Sequence, residues 1–464
     1  MLIKRRPIKP RYLLLVLVPL LLPAQEKTDL QQILERMERL EQENRNLAAE
    51  VRALRDEIAV SRPAPSGMNP AAENPPAAGS APASPPPIEE RVAVQERRTE
   101  ELAQTKVQTS QRLPVTLTGM VPFNGFLNSR ANGGQQDPTQ ASPSNNASDS
   151  GASLSQNIIG LTFQGPRIFG GGQVTGDLHM DLWGGTSNSL NHLVRLRVAT
   201  LRVDWKNQSF VVGQDKPIIS PRDPSSLAQV AFSPLTSAGN PWLWQPQARF
   251  EQRFTWGETT GLRAQAGVYE TSEPTASAGL YAASLSTARP ALEGRFLFWR
   301  NLGSGARIEI APGFHTSETH VAGVSVPSRL FTTDWLIQPT PKLQWTGMFF
   351  TGENAAGIGA LRQGFTIFGN DNIQAVGTAG GWTQLAYFIT HRLTLNAYAG
   401  QESNRPEDLL HGEVTRNFAY AGNLIYQLGP NVLLGWEASQ VRTSFLGTMP
   451  RLANHYDLAL AYLF

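Results

Sequence analysis

Apolar residues recur along this chain with two different periods, and the period changes near residue 113. In the first stretch the apolar positions are Leu30, Ile33, Met37, Leu40, Leu47, Val51, Leu54 and Ile58, with Asn44 as a polar member. Their spacing alternates three and four without a slip, which is a heptad seam. Leu30, Met37, Asn44, Val51 and Ile58 fall at a; Ile33, Leu40, Leu47 and Leu54 fall at d. The pattern predicts a coiled-coil helix over 28–60, with a seam about 43 Å long at 1.5 Å per residue. A polar Asn44 at a sets register and strand choice at a cost in stability. The mixture of Leu, Met, Val and Ile does not fix the strand number. A single amphipathic helix packed on a domain would show the same seam.

From residue 113 onward the period is two. In 173–182, Val174, Leu178, Met180 and Leu182 share one face, while Gln173, Thr175, Asp177, His179 and Asp181 share the other. In 248–256, Phe250, Phe254 and Trp256 oppose Arg249, Glu251 and Arg253. The same holds for Leu262, Ala264, Ala266 and Val268 against Arg263, Gln265 and Tyr269, and for Ile308, Ile310 and Phe314 against Arg307 and Glu309. Alternation of this kind predicts strands, in a soluble sandwich or a membrane barrel.

Connection lengths separate the two. Sixteen strands are predicted, near 113–127, 156–165, 172–183, 192–204, 207–214, 246–257, 260–270, 290–300, 305–315, 329–338, 342–352, 381–390, 392–401, 416–427, 430–440 and 454–464. Short turns at 206, 257–259, 301–304, 339–341 and 428–430 alternate with long connections at 128–155, 215–245, 271–289, 353–380 and 402–415. Short turns on one rim and long loops on the other are the habit of a bacterial outer-membrane barrel. The fold expected is therefore all-β: a 16-stranded antiparallel transmembrane β-barrel over 113–464. A signal peptide (1–24), a periplasmic coiled coil (28–60) and a Pro/Ala-rich linker with a polar segment (61–112) precede it.

Composition sharpens this. Lys4, Arg5, Arg6, Lys9 and Arg11 precede the apolar run 13–22, which Pro23 and Ala24 end. That is an export signal, with cleavage expected after Ala24, and the run is too short for a membrane helix of about 20 residues. Prolines at 63, 65, 70, 75, 76, 82, 85, 86 and 87 make 61–87 an extended spacer. Lys+Arg 40 against Asp+Glu 38 gives a net charge of +2, which removes the electrostatic ground for a nucleic-acid partner. Cysteine is absent, which excludes disulfides, thiolate zinc sites and thiol catalysis.

The closing strand adds a further mark. Tyr456, Leu458, Leu460, Tyr462 and Phe464 alternate with His455, Asp457, Ala459 and Ala461. With the Leu117-Thr118-Gly119 opening strand, the 209–215 passage into a long third loop, and the heptad segment, the layout resembles trimeric general-porin-like proteins. Within them it is most similar to the DcaP-like porins with an N-terminal periplasmic coiled coil. The usual aromatic after the opening glycine is replaced by Met120. The resemblance implies a homotrimer, passive diffusion, and a third loop folded into the pore. It also implies that Tyr462 and Phe464 are the signal for the barrel assembly machinery.

Candidate chemistry then follows from the lumen. A 16-stranded barrel leaves an aqueous channel that something must narrow. The longest connection, 215–245, carries Pro217, Pro221, Pro224, Pro234 and Pro241, and is assigned as the constriction loop with Lys216, Arg222 and Asp223 as its charges. Capping the barrel or gripping a neighbouring subunit is the other use of such a loop. Arg195, Arg197, Arg249, Arg253, Arg263, Arg295 and Arg307 lie on the polar faces. Each would cost about 2–4 kcal/mol on the lipid face, so they are expected to point inward, with Glu251, Glu293 and Glu309 in partial balance. A phase slip near Ala199 is needed to turn Arg202 and Asp204 inward as well. An arginine wall attracts small anions such as carboxylates, unless the Arg–Glu pairs neutralise each other and only stiffen the wall. Asp177, His179 and Asp181 sit about 7 Å apart along one strand, too far to share a metal ion. No nucleophile motif or cofactor motif is present, so an enzyme is not expected. The function expected is an outer-membrane pore for small hydrophilic solutes. Two other readings stay open: a barrel anchor whose coiled coil tethers the membrane to peptidoglycan, and a barrel hydrolase.

Overall fold

The computed structural model describes residues 115–184, 192–271, 290–361, 363–368 and 372–464. The export signal, the heptad seam 30–58 and the linker lie outside the described residues. Among the described residues no helix is long and apolar enough to cross a membrane. Strands do the crossing instead.

We number the staves along the chain. They are β1 (Val115–Asn128), β2 (Asp149–Ser153 and Ile158–Ile168), β3 (Gly172–Asp181), β4 (Arg195–Asp204), β5 (Gln208–Asp215), β6 (Gln245–Trp256), β7 (Thr260–Tyr269) and β8 (Ala291–Gly303). The other half is β9 (Ala306–Val321), β10 (Val324–Thr340), β11 (Leu343–Glu353), β12 (Gly377–Phe388), β13 (Leu393–Asn404), β14 (Val414–Gln427), β15 (Val432–Phe445) and β16 (Arg451–Leu463). The two segments of β2 both pair with β1, so they are one interrupted stave and the cylinder has sixteen.

Every stave pairs antiparallel with its neighbour in sequence, and β1 closes the cylinder on β16, from Met120 opposite Leu463 to Asn128 opposite His455. Gly119 and Phe464 add two backbone bonds to that seam, at 2.9 and 3.1 Å. A Cβ on Gly119 would sit 2.4 Å from the Phe464 ring, so the opening strand needs glycine where the closing aromatic lies over it. The Phe464 ring stacks on Tyr462 at 6.5 Å between centroids.

The faces are inverted relative to a soluble protein. Phe123, Phe250, Phe314, Phe349, Trp436, Leu458 and Tyr462 are exposed on the outside, whereas Glu251, Arg295, Asp334 and Glu437 are buried on the inside. Exposed aromatic and aliphatic bands are stable only against lipid, and the alternation along each strand produces both faces at once. The phase slip in β4 falls at Arg197: His179 pairs Val198, and Met180 pairs Leu196, leaving Arg197 as the extra residue. Both Arg195 and Arg202 can therefore face inward from one strand.

Two segments correct the expected boundaries. Residues 316–328 were expected to connect two strands. Instead β9 and β10 continue through them as a single hairpin paired from Arg307–Gln338 to Val321–Val324. Its tip is the tight turn Ala322–Gly323, both with positive φ (49° and 83°). Ser317, Glu318, Thr319, Ser325 and Ser328 leave this part only the short apolar cluster Val321, Val324 and Val326 at its tip, so the two-residue alternation fades although backbone pairing is complete. Val321 and Val326 pack with Phe365 in a small separate core, which a short hairpin (Phe365–Ile367, Ile373–Ala375) completes. Likewise β15 runs on to Phe445 and β16 begins at Arg451, beyond the expected ends at 440 and 454.

Candidate functional site

The connection between β5 and β6, 216–244, lies inside the barrel. Ile218 and Ile219 at its start, and Leu235 and Ala238 further on, are buried against Leu330, Met348, Trp382, Tyr398 and Ala419 of the inner wall. A loop this long is held in place by polar side chains that satisfy its main chain. Asn124 donates to the Leu227 carbonyl at 2.9 Å, and Gln156 to that of Ala228 at 2.6 Å. The Gln156 oxygen accepts from the amides of Val230 (2.5 Å) and Ala231 (3.0 Å). Asn423 and Asn417 reach the carbonyls of Ser225 and Ser237, both at 2.8 Å. The fit is close: a Cβ on Gly400 would lie 2.2 Å from the Ala238 carbonyl.

Because the loop leans on β10–β16, the open space is left against β4–β9. This cavity measures about 630 Å³. It is lined by the cations Arg202, Lys216, Arg222, Arg249, Arg253, Arg263, Arg295 and Arg307, against the carboxylates Asp215, Glu251 and Glu309. Five of the seven arginines expected on the wall line it; Arg195 and Arg197 do not. They sit higher, near the long-loop rim, where both guanidiniums lie over the Trp244 ring at 5.2 and 4.6 Å. Arg195 grips Asp181 through Nη2 at 2.6 Å and Nε at 3.1 Å. Asp181 is thus an arginine partner, and among the described residues no His/Asp/Glu group could hold a metal ion.

The cavity cations fall into two kinds. Arg295 is bidentate on Asp334, at 2.7 and 2.8 Å, and also donates to Gln265 at 2.7 Å. Arg222 of the loop contacts Glu309 and reaches Asp334 at 3.3 Å. Arg249 is tied to Asp215 at 3.0 Å and to Glu251 at 3.2 Å. Lys216 contacts Asp223, which also accepts from Ser233 at 2.6 Å. Burial, and then the neighbouring Arg197, push the Lys216 ammonium down to about 7, with Asp215 opposing. These cations hold the loop and the wall together. The other four have no carboxylate to themselves. Arg202 and Arg253 share Asp204 at 3.7 and 3.9 Å. Arg307 bonds Glu309 at 2.6 Å and covers Trp299 at 5.7 Å. Arg263 has no hydrogen-bond or ion-pair partner among the described residues.

The loop charges Lys216 and Arg222 line the cavity, whereas Asp223 points into the loop's own hydrogen bonds. Sequence reasoning missed Asp334, the carboxylate that orders Arg295 and Arg222. Its signal was present, as an acid on the face opposite Phe331, Trp335 and Ile337 of a predicted strand. Trp244 and Trp299, which support arginines, carried no signal of their own.

The outer-membrane channel DcaP of Acinetobacter baumannii shares this fold at a TM-score of 0.61 and 16% identity, over 75% of this chain and 97% of that one. The chain has a porin fold. An anion-selective porin from Comamonas acidovorans matches with a TM-score of 0.52 and 11% identity, over 75% of this chain and 99% of that one. No family model matches the sequence, and no curated protein does. The porin architecture is thus carried by strand order and barrel closure rather than by residue identity.

Proposed function

We propose that this chain is an outer-membrane porin: a water-filled pore for passive diffusion of small hydrophilic solutes, with a modest preference for anions such as small carboxylates. The observation that carries the reading is the cavity beside the inward-folded loop, where eight cations face three carboxylates. Guanidinium groups in a narrow channel attract carboxylate and phosphate, and a low-dielectric wall strengthens the field. The DcaP and anion-selective porin structures add weight to it. The rim of short turns then faces the periplasm. The heptad seam 30–58 supports self-association of the stalk, and a homotrimer is the assembly we assign, with outer-membrane lipid around it. Tyr462 and Phe464 are proposed as the mark read by the barrel assembly machinery.

The test is a planar bilayer under a KCl gradient. Openings in groups of three with reversal toward chloride are expected. Folded protein that conducts nothing, or reverses toward potassium, would overturn the reading.

A further inference from the structure

The first long connection, 129–148, also folds onto the barrel wall. Ala131 and Ala141 are buried in it. Asn128, at the end of β1, donates to the Gln135 and Gln136 carbonyls at 3.0 and 2.8 Å. The Ala141 amide donates to Thr443 Oγ of β15 at 2.8 Å. Asn417 of β14 donates to the Thr139 carbonyl at 2.9 Å, and the same amide holds the Ser237 carbonyl of the 216–244 loop. The two loops therefore share a pin.

One contact of the first loop needs an added proton. Asp137 is buried, and Nε2 of the buried His455, on β16, lies 3.4 Å from its Oδ1. His455 Nδ1 lies 2.7 Å from Asn128 Oδ1. Because Asn128 uses its amino group on two carbonyls, its oxygen must accept, so His455 Nδ1 carries the hydrogen. A neutral His455 then presents a bare lone pair at Nε2, facing a carboxylate that also only accepts. The two repel unless a proton lies between them, on Nε2 or on Asp137. Among the described residues neither Asp137 oxygen has another donor.

The surroundings favour keeping that proton. Asp457 of β16 and Glu437 of β15 bear on Asp137, and both are carboxylates. Tyr398 of β13 faces the same group. Burial, and then Asp457 and Glu437, push the Asp137 carboxyl well above its usual range. With the proton the His455–Asp137 pair is neutral. Without it an uncompensated negative charge is buried beside two acids, which is costly.

We propose that the first loop is a proton-latched flap: one proton held between His455 Nε2 and Asp137 keeps 129–148 against the wall, and its loss at alkaline pH lets the loop go. The docked loop holds a proton that the free loop gives up. Docking is therefore full below the usual carboxylate value and is lost as pH rises through the raised one. Above that value each pH unit weakens docking about tenfold. Release also removes one of the two carbonyls that orient the Asn417 amide, so the 216–244 loop loosens at Ser237.

The test reads exposure of the loop, which does not depend on conduction. The chain has no cysteine, so Gln136→Cys reports the buried face of the loop. The Gln136 side-chain nitrogen is buried without a partner, so the truncation removes no donor bond. Met449→Cys, 84% exposed, corrects for the thiol's own titration. In the full chain in detergent micelles, the ratio of maleimide labelling at 136 to that at 449 is expected to rise at least about tenfold between about pH 6 and about pH 9. Asp137→Asn gives Nε2 an amide donor with no proton to lose, so there the ratio should stay low at both ends. Heat-modifiable gel mobility checks that each variant is folded. In a bilayer, the parent's open-channel current should be noisier at the alkaline end, and Asp137→Asn, with Lys216 intact, should stay quiet. A flat ratio in the parent, or a ratio that still rises in folded Asp137→Asn, would overturn the latch. Only the current rests on the pore reading, so failure of that reading shows separately, as absent conductance while the labelling step persists.

Discussion

The two halves of the lumen use the same strand pattern for opposite ends. Along β10–β16 the inward residues include Leu330, Met348, Phe350, Trp382, Tyr398 and Val441, interrupted by amides and by buried carboxylates such as Asp334, Glu402 and Glu437, and the loop is packed onto them. Along β4–β9 the inward residues are arginines and their partners, and the space stays open. The packed half fixes where the loop lies, and the open half fixes which charges line the cavity. Neither works alone. A loop without the packed wall would leave a wide channel, and an arginine wall without the loop would face bulk water, where the field is weak.

Perturbing each half separately is the way to break this division. The largest effect is expected at the joint between them. Arg295→Gln leaves Asp334 buried against only a 3.3 Å contact from Arg222, and should cost about 3 kcal/mol. The check is the temperature at which the folded band disappears on gels; an unchanged temperature would mean that Arg295 does not clamp the wall. Gly400→Val comes next. Overpacking against the Ala238 carbonyl should cost about 1–3 kcal/mol and push the loop off its wall. Single-channel conductance should then rise, and a parental value would show that the loop is not pinned there.

A smaller effect follows from Lys216. Its pKa lies below the usual lysine value, so it is charged below about 7 and loses its proton as pH rises through that value. Arg197, Asp215 and Asp223 are the charged groups around it. Chloride preference should therefore be higher at the acid end, and the step should vanish in Lys216→Met. A flat reversal potential across neutral pH in the parent would remove Lys216 from the selectivity account. The smallest change is expected from Asn423→Ala, which frees the Ser225 carbonyl for about 1 kcal/mol and should add only open-channel noise. A large loss of folded protein would mean that the amide pins are not distributed.

Much of this was legible in the chain. Alternation at Val174–Leu182 and Phe250–Trp256, the rhythm of short and long connections, and the length of 215–245 all point to a barrel with an inward loop. Identity to the solved barrels is too low to have supplied it. Arg249, Arg253, Arg263, Arg295 and Arg307 could be placed on the inner face because the lipid face penalises them. Their division into clamped and open groups could not be read. That depends on Asp334 of β10 reaching past β9 to Arg295 of β8 and meeting Arg222 of the loop, and strand periodicity says nothing about partners so far apart in sequence. The 316–328 hairpin was illegible for another reason: its apolar residues are confined to the tip, Val321, Val324 and Val326, too few to set a period.

The amide pins of the 216–244 loop have a consequence for how such a barrel can change. Asn124, Gln156, Asn417 and Asn423 hold carbonyls, and Gln156 also takes two amides. What the barrel grips is the loop's backbone, a feature common to every amino acid except at proline's nitrogen. Side chains on the open edge of the loop can then be exchanged one at a time while its path is kept, so a new filter can arise by single substitutions without first inventing a new scaffold.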